Sequence, residues 1–219
     1  MDILHLLTSL FSSSTDEKLP TVAQSDIYCH FQIRAALPGD LTSLAEILAD
    51  SFHSHQGILG WAYPLLRLGI YEDLLNRLRS TSPHHICLVA VEGAASTATE
   101  GCGHSARNIA GTVEMALRST EPFARRTGRY LYLSNLAVRS TYRRRGVANQ
   151  LLLNCERVAV EWGFQDLYLH VLENNHQARQ LYFKLGYRLH KVDSSWNTWL
   201  LGRPRQLFLH KHLSNASTP

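Results

Sequence analysis

Apolar and polar residues along this chain repeat with two periods, one typical of strands and one typical of helices. Alternating runs predict seven strands, at residues 31–37, 85–92, 109–117, 130–138, 166–172, 187–192 and 205–213. Helical spacing predicts helices at residues 41–52, about 60–80 with an interruption near Pro64, about 148–162 and 176–186. Pro38-Gly39 separates the first strand from the first helix, and Asp40 is a suitable N-cap for that helix.

The order of these elements predicts an α+β fold with a mixed sheet. A strand, a helix and a further strand follow one another in the C-terminal half, which implies a parallel pair with a crossover helix, whereas the earlier strands form antiparallel hairpins. We expect one domain over residues 31–213, preceded by a flexible appendage (1–30) and followed by a tail (214–219). The Gly-rich segment 93–108 predicts a mobile hairpin loop.

Composition excludes several classes of protein. The net charge is +4 and the basic residues are scattered, so we expect no nucleic-acid partner. The four cysteines form no C-x-x-C pair and the twelve histidines no H-E-x-x-H motif, so we expect no metal. The N-terminus lacks the basic region of a signal peptide, and no apolar segment is long enough to span a membrane, which together predict a cytoplasmic protein. The oligomeric state stays open.

A basic turn before the third helix predicts an anion site. Arg143, Arg144 and Arg145 run into Gly146, and a helix begins one or two residues later. Unpaired N–H groups and the helix dipole make such a terminus attractive to phosphate, and a glycine lets the anion approach the backbone. A solvated basic turn is the alternative interpretation of this stretch taken alone.

Two motifs resemble those of the GCN5-related N-acetyltransferases, the GNAT family. Arg143-x-x-Gly146-x-Ala148 matches the family's R/Q-x-x-G-x-G/A signature, with Ala148 in place of the second glycine. A second motif, N-x-x-A-x-x-L-Y-x-x-x-G-F/Y, is matched by Asn175, Ala178, Leu181, Tyr182, Gly186 and Tyr187. The resemblance covers about residues 31–213 and implies a splayed mixed β-sheet flanked by helices.

The resemblance implies acetyl-CoA as co-substrate and an N-acetyltransferase activity. The pyrophosphate would lie on the loop formed by Arg143, Arg144, Arg145, Gly146, Val147, Ala148 and Asn149. The pantetheine arm would pair with the strand backbone at Leu136, Ala137 and Val138. Asn175 and Tyr182 would complete the cofactor site, and a backbone N–H at the splay would polarise the thioester carbonyl.

Proton transfer needs an acid and a base. The resemblance makes Tyr182 the general acid for the leaving thiolate, with a core aromatic role as the alternative. Many family members carry a glutamate where this chain has Ser134-Asn135. However, YLHV at 168–171 resembles the strand of N-terminal (Nα) acetyltransferases in which a histidine, here His170, acts with a tyrosine, here Tyr132, through an ordered water. A structural histidine bonded to backbone is the alternative.

Glu114 is the rival base. It lies in the strand GTVEMAL, where alternation places it on the same face as Thr112 and opposite Val113 and Met115. A strand glutamate that faces solvent is the alternative interpretation.

Aromatic residues predict the acceptor site. Trp61 and Tyr63 lie between the first two helices, and Trp196 lies between the last two strands. The resemblance extends to plastid and cyanobacterial GNAT enzymes and predicts acetylation of a protein amine, either an N-terminal α-amine or a lysine. The alternatives are an arylalkylamine (serotonin-type) acetyltransferase and a non-catalytic acyl-CoA-binding regulatory module.

Overall fold

A single mixed sheet carries the fold. The computed structural model describes residues 31–52, 63–79, 82–93, 108–119, 128–193 and 204–213. Within them the strands are β1 (Phe31–Ala35), β2 (His85–Glu92), β3 (Ile109–Ser119), β4 (Arg129–Val138), β5 (Asp166–Leu172), β6 (Arg188–Asp193) and β7 (Gln206–His212). The α-helices are α1 (Leu41–Phe52), α2 (Tyr63–Arg79), α3 (Val147–Glu161) and α4 (His176–Lys184).

The strand order is β1-β2-β3-β4-β5-β7-β6. Every neighbouring pair is antiparallel except β4 and β5, which are parallel and joined by the crossover helix α3. The predicted α+β class with a mixed sheet is therefore confirmed.

The sheet splays open between its two parallel strands. The register of β4 on β5 covers only Leu131–Leu133 against Leu167–Leu169, although β4 continues to Val138. Beyond that point β4 stays paired with β3, and β5 stays paired with β7 through Leu172. The predicted splay is confirmed, and it leaves one edge of β4 facing a gap.

Helices cover the two faces of the sheet. On one face, α3 buries Val147, Leu151, Leu152, Cys155 and Ala159 against the sheet, and Tyr182 of α4 joins the same core. On the other face, Leu41, Leu44 and Leu48 of α1 and Leu74 of α2 pack against alternate residues of β2. Helical spacing of apolar residues explains both contacts, since each helix presents one apolar stripe.

Some boundaries differ from those predicted. Pro64 lies in the first turn of α2, where its missing N–H has no helical partner to lose, and residues 60–62 of the predicted helical region lie outside the described residues. The first strand ends at Ala35, two residues earlier than expected, and Asp40 lies in a short 3-10 turn before α1. The appendage (1–30), the tail (214–219) and residues 94–107 of the predicted hairpin loop lie outside the described residues. None of the helices in the described ranges is long and apolar enough to cross a membrane.

Candidate active site

An open cleft of about 510 Å³ lies at the splay. Its walls are the diverging end of β4, the end of β5 and the first turns of α4, with Ser51 of α1 at one edge. The lining includes seven of the fifteen sequence-predicted cofactor and catalytic residues, namely Leu136, Ala137, Val138, Arg143, His170, Asn175 and Tyr182. The unpaired edge of β4 is suited to bind an extended arm by backbone hydrogen bonds.

The loop that leads into α3 has the geometry of an anion site. Gly146 is the N-cap of α3 with φ +82°, and Arg144 is also left-handed at φ +65°. The N–H of Gln150 bonds to the carbonyl of Gly146 at 3.0 Å, so the N–H groups of residues 146–149 have no partner within the helix. The Arg143 Nε donates to the Val138 carbonyl at 3.4 Å, which ties the loop to the end of β4. These features fit a pyrophosphate.

Tyr182 forms part of the cleft wall. Asn175 caps α4, since its Oδ1 accepts from the N–H of Ala178 at 3.1 Å. The Tyr182 ring packs edge-on against Tyr187 with 5.7 Å between centroids. Burial raises the pKa of Tyr182, and the nearby Tyr132 adds to the shift, so the phenol keeps its proton at neutral pH. A protonated phenol beside the cleft is able to act as an acid.

Tyr132 and His170 form one hydrogen-bonded pair. The Tyr132 hydroxyl and the His170 Nδ1 lie 2.8 Å apart, joining β4 to β5 where the strands begin to part. The His170 ring stacks on Phe208 of β7, with 4.6 Å between centroids and 25° between planes. The Arg118 guanidinium lies 3.8 Å from the centre of the Tyr132 ring. Burial raises the pKa of Tyr132 despite the opposing charge of Arg118, so this phenol is also neutral.

Glu114 is buried rather than solvent-facing. Only 2% of it is exposed, and its carboxylate receives hydrogen bonds from three side chains. The alternative of an exposed strand glutamate is therefore wrong, because α1 and α2 cover the face of β3 on which Glu114 lies: its neighbour on β2, Cys87, is buried in the core that those helices form. Burial alone would raise the pKa of Glu114, but hydrogen bonds from His85 and Arg77 outweigh it and hold the pKa below its ordinary value.

Comparison with protein families identifies the fold and the activity. Residues 43–187 match the family described as the Acetyltransferase (GNAT) family. The chain belongs to the GNAT family. It is an acetyl-CoA-dependent N-acetyltransferase, so the interpretation as a non-catalytic binding module is wrong, and acetyl-CoA is its co-substrate.

Curated relatives of this GNAT protein come from Arabidopsis thaliana. The chain is 28% identical to GCN5-related N-acetyltransferase 10, chloroplastic, over 180 residues, which are 80% of this chain and 68% of the relative. It is 40% identical to GCN5-related N-acetyltransferase 7, chloroplastic, over 78 residues, which are 36% of this chain and 28% of the relative.

Solved structures share the GNAT fold at low sequence identity. The paiA N-acetyltransferase from Thermoplasma acidophilum, solved with coenzyme A, has a TM-score of 0.58 and 22% identity, covering 84% of this chain and 99% of that one. Arabidopsis thaliana NAA60, solved with a bisubstrate analogue, has a TM-score of 0.60 and 19% identity, covering 85% and 100%.

The expectation of a cytoplasmic protein is wrong. All five curated relatives, GCN5-related N-acetyltransferases 4, 5, 6, 7 and 10 of Arabidopsis thaliana, are named as chloroplastic proteins. Composition is a poor guide to compartment because import receptors read short terminal segments, not the folded domain.

Of the predicted acceptor residues, the structure describes Tyr63 alone. Its hydroxyl donates to Asp50 of α1, which places the start of α2 next to the end of α1 that borders the cleft. Tyr63 also lines a separate groove of about 520 Å³ with Pro64, Arg67, Leu68, Tyr71 and Thr42. Trp61 and Trp196 lie outside the described residues.

Sequence patterns alone do not point to Phe208, Arg118 or the partners of Glu114 as parts of the site. Phe208 and His210 are two residues apart in a predicted strand and so share a face. Only the pairing of β7 with β5 places the Phe208 ring on His170. Within the described part of the chain, no group of three or more His, Cys, Asp or Glu side chains is arranged to hold a metal ion.

A groove of about 660 Å³ between α3 and β7 shares no lining residue with the cleft.

Proposed function

We propose that this enzyme acetylates protein amines, N-terminal α-amines above all and lysines second, with His170 as the base and Tyr182 as the acid. The observation that carries the proposal is the Tyr132–His170 pair, 2.8 Å apart beside the cleft. It supports the resemblance to N-terminal acetyltransferases, because His170 of the YLHV strand and Tyr132 of β4 lie together, although they bond directly where the resemblance implies an ordered water between them.

His170 would take the proton of the attacking amine. When Nδ1 carries a hydrogen, it donates to the Tyr132 oxygen, and the lone pair of Nε2 is then able to accept a proton. In that tautomer the hydrogen bond to Tyr132 holds the ring in place, while Phe208 stacks on one face of the imidazole. Stacking on an aromatic face also stabilises the imidazolium that forms.

Tyr182 would complete the reaction. The amine nitrogen bonds to the acetyl carbon, the carbon–sulfur bond breaks, and the thiolate takes the phenol proton of Tyr182. The products are an acetamide and the free thiol of coenzyme A. The two proton-transfer groups belong to different elements, α4 and β5, and both line the cleft. This arrangement separates the acid from the base, as direct transfer requires.

Glu114 is a poor candidate for the base. Its pKa is below the ordinary value, and its oxygens already accept from Arg77, His85 and Asn135. A carboxylate that is stabilised in its ionised form has little tendency to take a proton from an amine.

An arylalkylamine acceptor is the second candidate. Aromatic rings of β5 and β7 extend beside His170: Tyr168 stacks on Phe208 at 5.2 Å and on His210 at 4.6 Å. Such a surface favours a flat apolar group on the acceptor, whether it belongs to a peptide side chain or to a small amine.

An acceptor panel tests the proposal. The full chain is incubated with acetyl-CoA and peptides that have a free N-terminus, the same peptides with a blocked N-terminus and an internal lysine, and arylalkylamines. Mass spectrometry counts the acetyl groups gained. We expect the highest kcat/KM for free N-termini. Turnover of the arylalkylamines with no turnover of any peptide would overturn the assignment in favour of the second candidate.

We also propose that the protein acts in plastids, since its curated relatives are named as chloroplastic. Imaging the full-length protein with a C-terminal fluorescent tag in its own cells tests this, and a signal confined to the cytosol would contradict it.

A further inference from the structure

Glu114 is the centre of a buried network that joins four elements. The Arg77 Nη1 of α2 donates to both carboxylate oxygens at 3.0 Å. The His85 Nε2 of β2 lies 2.7 Å from Oε1, and the Asn135 Nδ2 of β4 donates to Oε2 at 2.7 Å. Arg77 is held in turn by Asp73, 2.9 Å away on the same helix. An enclosed carboxylate with this many donors is a rigid anchor, because losing any partner leaves a buried charge less well compensated.

The third partner, Asn135, lies at a bulge in β4. Glu114 pairs with Ser134 across the two strands, but Thr112 pairs with Ala137. Two residues of β4 therefore stand opposite one residue of β3, which is the definition of a β-bulge. Asn135 has φ +54°, in the left-handed region that asparagine tolerates better than most residues.

This bulge forms part of the acetyl-CoA cleft. Ser134, Asn135 and Leu136 all line it, and they lie beyond the last residue of β4 that pairs with β5. Among the strands of the sheet, this part of β4 pairs with β3 and not with β5. Its conformation therefore depends on what β3 supplies, and the Glu114–Asn135 hydrogen bond is a side-chain link supplied from β3.

We propose that Glu114 is a positioning residue for acetyl-CoA: by holding the Asn135 side chain, it keeps the β4 bulge in the shape that presents backbone groups to the thioester arm. Arg77 and His85 hold the carboxylate ionised and in place. The role concerns the cofactor side of the established reaction and does not depend on which residue is the base. It also gives a function to the asparagine that replaces the commoner glutamate at this part of the strand.

A double-mutant cycle on acetyl-CoA affinity tests the proposal. The variants are Glu114→Gln, Asn135→Gly and the double variant, and calorimetry measures the Kd for acetyl-CoA without any acceptor. Glycine is chosen because it accepts the left-handed conformation and removes the side-chain link to Glu114. We expect Glu114→Gln to weaken binding by about tenfold in the wild-type background and by less than about threefold when Asn135 is already glycine.

A matched control separates this role from general loss of charge. Asp166 is also a carboxylate bonded to two side chains, His210 at 2.7 Å and His212 at 3.0 Å, but it lies at the end of β5 away from the cleft. We expect Asp166→Asn to leave the Kd unchanged. Equal losses from Glu114→Gln in both Asn135 backgrounds, or no loss in either, would overturn the proposal.

A second measurement covers the case in which Glu114→Gln does not fold. Asn135→Gly leaves the Arg77 and His85 hydrogen bonds to Glu114 in place, and by itself it should weaken acetyl-CoA binding by at least about fivefold, because the link is gone. A Kd within twofold of the wild-type value would overturn the proposal. A general base would behave differently from a positioning residue, since its removal lowers kcat and leaves the affinity for acetyl-CoA unchanged.

Discussion

Two glycines at opposite ends of α3 allow a controlled test of the pyrophosphate site. Gly146 precedes the helix at φ +82°, and Gly163 follows it at φ +81°. A Cβ added at either position meets no atom within 4 Å, so neither substitution to alanine creates a clash within the protein. The conformational free-energy cost is the same for both, because each substitution holds alanine in the left-handed region, which is unfavourable for it.

The magnitude follows from that conformation. Holding alanine in the left-handed region costs roughly 1–2 kcal/mol, and the stiffer unfolded chain returns about 0.4–1 kcal/mol of this. We therefore expect Gly146→Ala and Gly163→Ala each to lower the free energy of unfolding by about 1 kcal/mol, or to lower Tm by about 2–4 °C in a chain of this size.

Binding should separate the two variants. At Gly146 the new methyl group, or the backbone rotation that relieves its strain, intrudes on the N–H groups that face the anion. We expect calorimetry to show acetyl-CoA affinity falling by at least about tenfold, or ~1.4 kcal/mol, for Gly146→Ala and staying unchanged for Gly163→Ala. If both folded variants bind acetyl-CoA as tightly as the wild type, the placement of the pyrophosphate at this helix is refuted. If both lose affinity equally, the loss reflects a global effect on stability.

Three further predictions concern protons. Across about pH 6 to 9, kcat/KM on one peptide should rise with pH and then level off. His170→Gln should lose most of the activity and this rise with pH, whereas Glu114→Gln should keep the rise. The reverse ranking would make Glu114 the base. Tyr182→Phe should lower kcat by roughly 10²–10⁴-fold at unchanged acetyl-CoA affinity, and a kcat within twofold of wild type would make it a packing residue. Glu114 has a lowered pKa, so its stabilisation is present above the unfolded value of about 4.3 and is lost as pH falls through the folded value. Urea unfolding should therefore show the difference between wild type and Glu114→Gln shrinking from about pH 6 to about pH 3; a constant difference would contradict the shift.

The sequence alone determined the elements and the class of chemistry. Alternation and helical spacing are local properties, so all seven strands and all four helices of the described residues were predictable, with errors only at their ends. The Arg143-x-x-Gly146-x-Ala148 spacing predicts an anion site at the start of α3, because a helix terminus acts on its ligand through its own backbone.

Only the tertiary structure decided which side chains act together. Tyr132 and His170 are 38 residues apart in sequence, and Arg77 and Glu114 are 37 apart; both contacts exist because the sheet order brings their strands and helices side by side. The alternation of β3 placed Glu114 opposite Val113 and Met115 but did not reveal that it is buried, because the helices α1 and α2 that cover its face come from other parts of the chain. Strand pairing is non-local, so periodicity along the chain shows which face a residue occupies, but the partners across that face depend on how the whole sheet assembles.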